Sequence, residues 1–489
     1  MTEHLAGGRV ELHHGDCLDV LRTLADGSVD SVVTDPPAGI GFMGKEWDDF
    51  RRARNLADTG RESVFGRTSA TGPEYARRSR AAFVAWLTDV MAEALRVLKP
   101  GGHAVVWAIP RTSHWTAWAL EDAGFEIRDC LTHIFGSGFP KSLDVSKSID
   151  RTAGVEREAK VNERWVSRYP NGPGGNLTGD GRSGTFHQAL RVHGNPLMTP
   201  DPVTDDARRW SGWGTALKPA GEHWWLARKP LVGSVAATVL AYGTGALNIA
   251  ACRVGRQPGD RTEYGVDGDE AQTTGASGIY GRFAAVTPYE PHTAGRWPTN
   301  LLLTHGDCSE DRCSPDCPVA EMDRQSGEST SAAGTQNFRR AETTGWIERG
   351  GSFTPGREWS AEGYGDSGGA SRYFPVFRYE PKADSKQRPR HGGGSHPTVK
   401  PLDLMRWLVR LVTPPGGTCL DPFLGSGTTA EACMIEGFRC IGIEREDEYL
   451  PLIRARLNRR YDPEAFIRAG ARAAAKVDGQ GDLFSDGAS

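Results

Sequence analysis

The chain of 489 residues has no long uninterrupted apolar run. Its most apolar long segment, residues 231–252, is broken by Gly233, Gly243, Gly245 and Asn248, short of the roughly 20 apolar residues a membrane span needs. The opening MTEHLAGGRVELHHGD has no apolar h-region, so no secretory signal is expected. Cysteine is sparse: nine are scattered along the chain, several inside apparent strands and helices. That excludes a disulfide framework and points to reduced, cytoplasmic usage, without membrane attachment. Excess charge of one sign is also missing, with 58 Lys and Arg against 62 Asp and Glu. Overall charge therefore announces no polyanionic partner. Apolar residues reach only 38%, because 61 glycines and 30 prolines take their place, mostly mid-chain.

The chain is too long for one compact core. From residue 9 to about 145, apolar runs alternate with stretches at helical spacing. Strands are expected at 10–12, 29–34, 103–109 and 126–135, and helices at 18–24, 83–98 and 112–122. Such alternation predicts an α/β fold with a largely parallel sheet covered on both faces. The pattern breaks at about 145 into segments rich in Gly, Arg, Pro and Asn, with one returning strand near 222–230. It resumes with a helix at 402–412, a strand at 418–420, a helix at 428–436, a strand at 439–443 and a helix at 449–457. One sheet split by a loop-rich insertion follows, with boundaries at 1–145, 146–395 and 396–462 and a flexible tail at 463–489.

Charge is uneven locally. Residues 51–80 carry eight arginines against Asp58, Glu62 and Glu74. They read as a polar, aperiodic loop, either suited to phosphate or simply solvated.

Three stretches carry chemistry. In "SVVTDPPAGIGFMGKEWDD", residues 31–49, a buried strand stops at Asp35-Pro36-Pro37, because proline cannot donate a ladder hydrogen bond. Alone, this is also an ordinary strand-ending turn. In "CLDPFLGSGTTAEACMIEGFRCIGIERE", residues 419–446, a strand enters a glycine loop that opens a helix. Gly425 and Gly427 let backbone approach a ligand, and the helix N-terminus offers N–H groups. Glu444 closes the next strand, where a carboxylate can accept bonds from ribose hydroxyls. Gly427-Thr428-Thr429 lacks the lysine of a kinase-type phosphate loop. In "THGDCSEDRCSPDC", residues 304–317, His305, Cys308, Cys313 and Cys317 can complete a structural tetrahedral zinc site. Thiols in a polar loop are the alternative.

Together these motifs resemble those of the DNA amino-methyltransferases, which methylate exocyclic amines of adenine or cytosine with S-adenosylmethionine. Asp35-Pro36-Pro37 resembles the catalytic motif, and Asp421 to Thr429 the cofactor loop. "HPTVKPLDLM" (396–405) and "HHGDCLDVL" (13–21) are similar to its flanking cofactor elements. The segments "IFGSGFPKSLDV", "GTGALNI" and "GRWPTNLLLTH" resemble a phage- and bacteria-borne branch.

The resemblance implies a Rossmann-like class I methyltransferase sheet, circularly permuted in the manner of the β group, with target recognition in the insertion. It implies catalysis by Asp35, Pro36 and Pro37. Ala38 stands where the family has a base-stacking aromatic, for which Phe42 or Trp47 are candidate substitutes, a core or loop-packing position being the alternative for Trp47. It implies cofactor contacts from Asp16, Cys17, Thr398, Lys400, Pro401, Asp421, Pro422, Phe423, Gly425, Ser426, Gly427, Thr428, Thr429 and Glu444. Double-stranded DNA is the implied partner and the nucleoid the implied location. Adenine N6 is the expected target, with cytosine N4 or a catalytically impaired DNA-binding homologue as alternatives. RNA or a protein glutamine amide would demand the opposite motif order. Arg–aromatic pairs such as Arg209-Trp210, Arg296-Trp297 and Arg372-Tyr373 are candidates for base or phosphate contact. "QGDLF", residues 480–484, resembles a sliding-clamp-binding peptide with Gln480, Leu483 and Phe484 as its anchors. A homodimer is a further expectation.

Overall fold

The computed structural model describes residues 2–40, 48, 73–136, 142–158, 160–161, 197–198, 201–254, 295–305, 308, 313, 317–330, 335–338, 359–362, 367–377 and 399–458. Two compact units divide the chain: Met1–Ser137 with Ala220–Ser489, and Gly138–Pro219.

The larger unit is built on a ten-stranded sheet. Its strands are β1 (Thr2–Leu5), β2 (Val10–His14), β3 (Val29–Thr34), β4 (Leu98–Ala108), β5 (Glu126–Ile134), β6 (Gly221–Arg228), β7 (Leu301–Thr304), β8 (Val376–Phe377), β9 (Thr418–Asp421) and β10 (Arg439–Glu444). They lie in the order β1-β2-β10-β9-β3-β4-β6-β5-β7-β8. From β2 to β4 every neighbour is parallel. β6 runs antiparallel to both β4 and β5. The first and last thirds of the chain therefore share the centre of one sheet. All six residues of β3 are buried, as expected of a parallel strand covered on both faces.

The helices are α1 (Cys17–Leu21), α2 (Pro73–Val97), α3 (Ser113–Asp122), α4 (Val145–Thr152), α5 (Asp205–Arg209), α6 (Val235–Tyr242), α7 (Pro318–Ser326), α8 (Leu402–Val412), α9 (Thr428–Glu436) and α10 (Leu450–Leu457). Two apolar clusters form the main core. In one, α2 contributes Phe83, Leu87, Val90, Met91, Ala94 and Val97, which share one helical face, to pack with Val32 and Leu420. In the other, α8 packs Leu404, Met405, Leu408 and Val412 with Val33 and Cys419. Each fully buried aliphatic side chain there contributes about 1.5–3 kcal/mol of transfer free energy.

Two expectations change. The Arg-rich segment is helical from Pro73 onward, so Arg77, Arg78 and Arg80 lie on α2 and not in a loop. The polar first turns hide that helix from a search for apolar periodicity. The insertion also adds three strands to the sheet, β6, β7 and β8, where one was expected. β7 and β8 are too short to show a period.

In the smaller unit the α4 N-terminus is capped by Asp144, which accepts from Lys147 N at 2.9 Å. The buried Asp150 accepts from Arg157 Nε at 2.6 Å and from Thr204 Oγ1 at 2.7 Å.

Candidate active site

In open parallel sheets, ligands sit beyond the carboxyl ends of strands, where the connections diverge to opposite sides. Here that point lies between β9 and β3. The chain leaves β9 through α9 to β10 on one side, and leaves β3 through α2 to β4 on the other. Three acidic residues stand at these ends: Asp35 directly after β3, Asp421 closing β9 and Glu444 closing β10. A fourth, Asp16, follows β2. The Thr34 hydroxyl donates to Asp421 Oδ1 at 2.6 Å, joining the Asp-Pro-Pro turn to the glycine loop across 387 positions of sequence.

The loop 422–427 is held from several sides. Phe423 N donates to Asp421 Oδ1 at 3.0 Å, Gly425 N to Glu444 Oε2 at 2.7 Å and Leu424 N to the Ile443 carbonyl at 2.9 Å. Gly427, at φ 81°, is the N-cap of α9, a left-handed position that favours glycine. Gly442 in β10 has a different reason: a Cβ there would lie 2.5 Å from Leu424 Cδ2. Ser426 and Thr428 bond through their hydroxyls at 2.9 Å. The buried Arg456 donates through Nε to the Ser426 carbonyl at 2.8 Å, and its Nη1 pairs with Glu431. Burial pushes the Glu444 carboxyl up to about 7, against the lowering effect of the Glu446 and Gly425 amides. Burial likewise raises Asp421 to about 6, against its bond from Thr34.

Beside Asp35 lies Lys400. Its Nζ is 3.1 Å from Asp35 Oδ2, 3.9 Å from Glu222 Oε2 and 3.6 Å from the centre of the Trp107 ring. Trp107 Nε1 donates to Glu222 Oε2 at 2.9 Å. His133 Nδ1 lies 3.9 Å from that oxygen, while its Nε2 meets Thr304 Oγ1 at 2.5 Å. Burial raises the Asp35 carboxyl above its usual value, opposed by Lys400 and reinforced by Glu222. Glu222 is also penalised by burial, but Lys400, His133 and Trp107 outweigh this and hold it down at about 2. The result is a half-buried cation between two acids and over an aromatic face.

Glu222, Trp107 and His133 were not singled out from sequence. Glu222 lies at the start of β6 and Lys400 is 178 positions later, so no local pattern links them. The one available signal was an acid opening the returning strand.

The remaining expected positions fall as follows. Asp16 caps α1, accepting from Leu18 N at 2.9 Å, and Gly15 N donates to the Glu444 carbonyl at 3.1 Å. Cys17 is buried, and burial followed by the Asp16 charge pushes its thiol up to about 12. Pro36 is buried and Pro37 half-buried. The Ala38 carbonyl accepts from Thr112 Oγ1 at 3.0 Å, and the next two amides, Gly39 and Ile40, donate to the buried Asp48. Pro401 caps α8, Pro422 is buried, and Phe423 packs on Trp86 with ring centres 5.5 Å apart. Thr428 and Thr429 open α9. Thr398, Phe42, Trp47, Gln480, Leu483 and Phe484 lie outside the described residues. Arg296 and Arg372 are buried and face the Tyr373 ring at 5.2 and 4.3 Å. Arg372 also bonds the carbonyls of Gly368 and Gly369. These two arginines face inward and do not present themselves to a nucleic acid.

Residues 311–455 match the family model N6_N4_Mtase, described as DNA methylase. That match spans less than a third of the chain. The chain is 40% identical over 88 residues to the Type II methyltransferase M.SmaI of Serratia marcescens, covering 17% of this chain and 30% of that protein. It is 47% identical over 64 residues to the Type II methyltransferase M2.DpnII of Streptococcus pneumoniae, covering 13% and 24%. The chain thus matches less than a third of the length of these relatives. Among solved structures, the PvuII DNA methyltransferase (cytosine-N4-specific) aligns at TM-score 0.38 and 12% identity, covering 98% of this chain and 96% of that one. The M1.HpyAVI complex with SAM aligns at TM-score 0.33 and 13% identity, covering 92% and 99%. Among the described residues, no helix is long and apolar enough to cross a membrane.

Proposed function

We propose that this chain is an S-adenosylmethionine-dependent, site-specific DNA methyltransferase that methylates an exocyclic base amine, adenine N6 in the first instance. The observation that carries the reading is the Thr34–Asp421 bond. It sets Asp35 and the glycine loop side by side at the divergence point of one parallel sheet. The catalytic strand precedes the cofactor strand in the chain, which is the basis for reading the fold as permuted.

S-adenosylmethionine, when bound, supplies an electrophilic methyl on a sulfonium. The residues present fit it: Glu444 offers a carboxylate for ribose hydroxyls, and the loop 422–427 opens a helix N-terminus. An exocyclic amine is a poor nucleophile because its lone pair is delocalised into the ring. The Asp35 carboxylate and the Pro36 carbonyl accept its two N–H groups and draw the nitrogen towards tetrahedral geometry. Consecutive prolines fix φ and hold both acceptors in advance. Lys400 favours the ionised form of Asp35 against the effect of burial, and Glu222 stands 3.9 Å from Lys400. The target base leaves the duplex stack to reach this site, and residues 146–395 supply target recognition. Gln480, Leu483 and Phe484 are proposed to dock on a sliding clamp.

The test is transfer of labelled methyl from S-adenosylmethionine to unmethylated double-stranded DNA. Single-molecule sequencing of DNA from a methylation-free host expressing the chain then reports base and motif together. N4-methylcytosine would move the target assignment. Absence of transfer to any DNA, with cofactor bound, would favour the impaired homologue.

A further inference from the structure

We infer that His305, Cys308, Cys313 and Cys317 hold one Zn2+ in a closed tetrahedral site, which fastens the outer edge of the sheet to α7. One ligand atom from each of the four comes within 4.8 Å of all the others. His305 Nδ1 is 3.5 Å from Cys313 Sγ and 3.4 Å from Cys317 Sγ. With Zn–S near 2.3 Å and Zn–N near 2.0–2.1 Å, a tetrahedron has S–N edges of about 3.6 Å and S–S edges of about 3.8 Å. The two S–N separations match that edge.

A purely hydrogen-bonded cluster explains this geometry less well. One ring nitrogen with a single lone pair takes one thiol donor, yet two sulfurs stand equally close to it. A shared metal accounts for both. Three thiolates and one imidazole, without a carboxylate, form a soft donor set that suits zinc and excludes magnesium or calcium. Four protein ligands leave no open coordination position, so the ion is structural and takes no part in methyl transfer.

The ligands come from separate elements, which gives the ion its mechanical role. His305 directly follows β7, and its amide donates to the Phe377 carbonyl of β8 at 2.9 Å. Cys317 is fully buried at the N-cap of α7, beside Leu303 and Val319. In turn, α7 holds the chain just before β8: Asp323 accepts from Ser371 N at 2.8 Å and from Ser371 Oγ at 2.7 Å. The satellite core around Leu303, Cys317 and Val319 is small, and β8 has only two residues. A metal supplies the closure that so little apolar surface cannot. One position before His305, Thr304 bonds His133, which faces Glu222 of the Lys400–Asp35 group.

The experiment uses the full chain purified under reducing conditions and reconstituted with zinc. Elemental analysis is expected to find about one zinc per chain after gel filtration. Cobalt substitution is expected to give a thiolate charge-transfer band and intense tetrahedral ligand-field bands. Cys313 is exposed, so Cys313→Ser is expected to fold, to lose most of the zinc and to unfold at a lower temperature. Cys130→Ser, outside the cluster, is expected to keep the metal. Metal content is read without methyl transfer, so the result is independent of the proposed activity. The inference is overturned if the reconstituted wild-type chain retains no more zinc than Cys313→Ser and shows no thiolate-to-cobalt band.

Discussion

The Lys400 ammonium lies 3.1 Å from the Asp35 carboxylate. This contact joins residues from the two ends of the chain at the centre of the proposed chemistry, and it separates two roles. Asp35 is the proposed acceptor for the target amine. Asp35→Ala is therefore expected to lower methyl transfer at least about 100-fold, with S-adenosylmethionine affinity almost unchanged. Single-turnover transfer and calorimetric titration check the two halves. Equal turnover by the variant would refute the role.

Lys400 is proposed to act through Asp35, which it meets at 3.1 Å. Burial already raises the Asp35 carboxyl, and Lys400 opposes this. Lys400→Met removes the opposing charge, so Asp35 titrates at still higher pH. Transfer needs the ionised acid, so the acidic limb of the kcat/KM profile is expected to move to higher pH. An unmoved limb would show that Lys400 does not set the ionisation of Asp35.

Glu444 is the proposed acceptor for the cofactor ribose, and its carboxyl is a titrating group. Glu444→Gln is expected to weaken S-adenosylmethionine about 10- to 100-fold, the loss of charge-assisted bonds. Its carboxyl is raised to about 7 by burial, so the folded state holds a proton that the unfolded chain has released. The associated stability is complete below the ordinary glutamate range and is lost as pH rises through about 7. The gap in Tm between wild type and Glu444→Gln should therefore shift against wild type between pH 4 and pH 8, two values set about the raised pKa. A constant gap would contradict the buried acid.

Arg456 and Glu431 are an ion pair closed off from water. Arg456→Ala leaves a buried carboxylate without its partner and is expected to cost about 3–5 kcal/mol. It also frees the Ser426 carbonyl in the loop. The double variant Arg456→Met, Glu431→Leu is expected to recover most of that stability while cofactor binding stays weakened. Urea unfolding and calorimetry distinguish the two effects.

The glycine loop and its flanking elements were legible because they carry punctuation. Gly427 and Gly437 bracket α9, and the helix runs from Thr428 to Glu436 as the spacing predicts. The α8 boundaries at Leu402 and Val412 also match, since its apolar residues recur at helical intervals. Acidic residues ending strands were visible for the same reason. The partners of those acids were not. Lys400 was read as a cofactor contact but not as the partner of Asp35; Glu222, Trp107 and His133 come from three separate segments, which the antiparallel entry of β6 between β4 and β5 brings together. That pairing register is a tertiary fact with no local trace. The burial of Arg296 and Arg372 was equally hidden, because an arginine beside an aromatic reads the same whether it faces solvent or a carbonyl.

The interleaving of early and late strands also sets an order for biosynthesis. β3 leaves the ribosome with one of its two neighbours, β9, still nearly 400 codons from translation. Loop closure over such a span grows only logarithmically in cost, so the wait is a matter of time more than of energy. Until β9 and β10 emerge, the nascent polypeptide exposes an unpaired edge of valines and depends on its surroundings to keep that edge from pairing elsewhere.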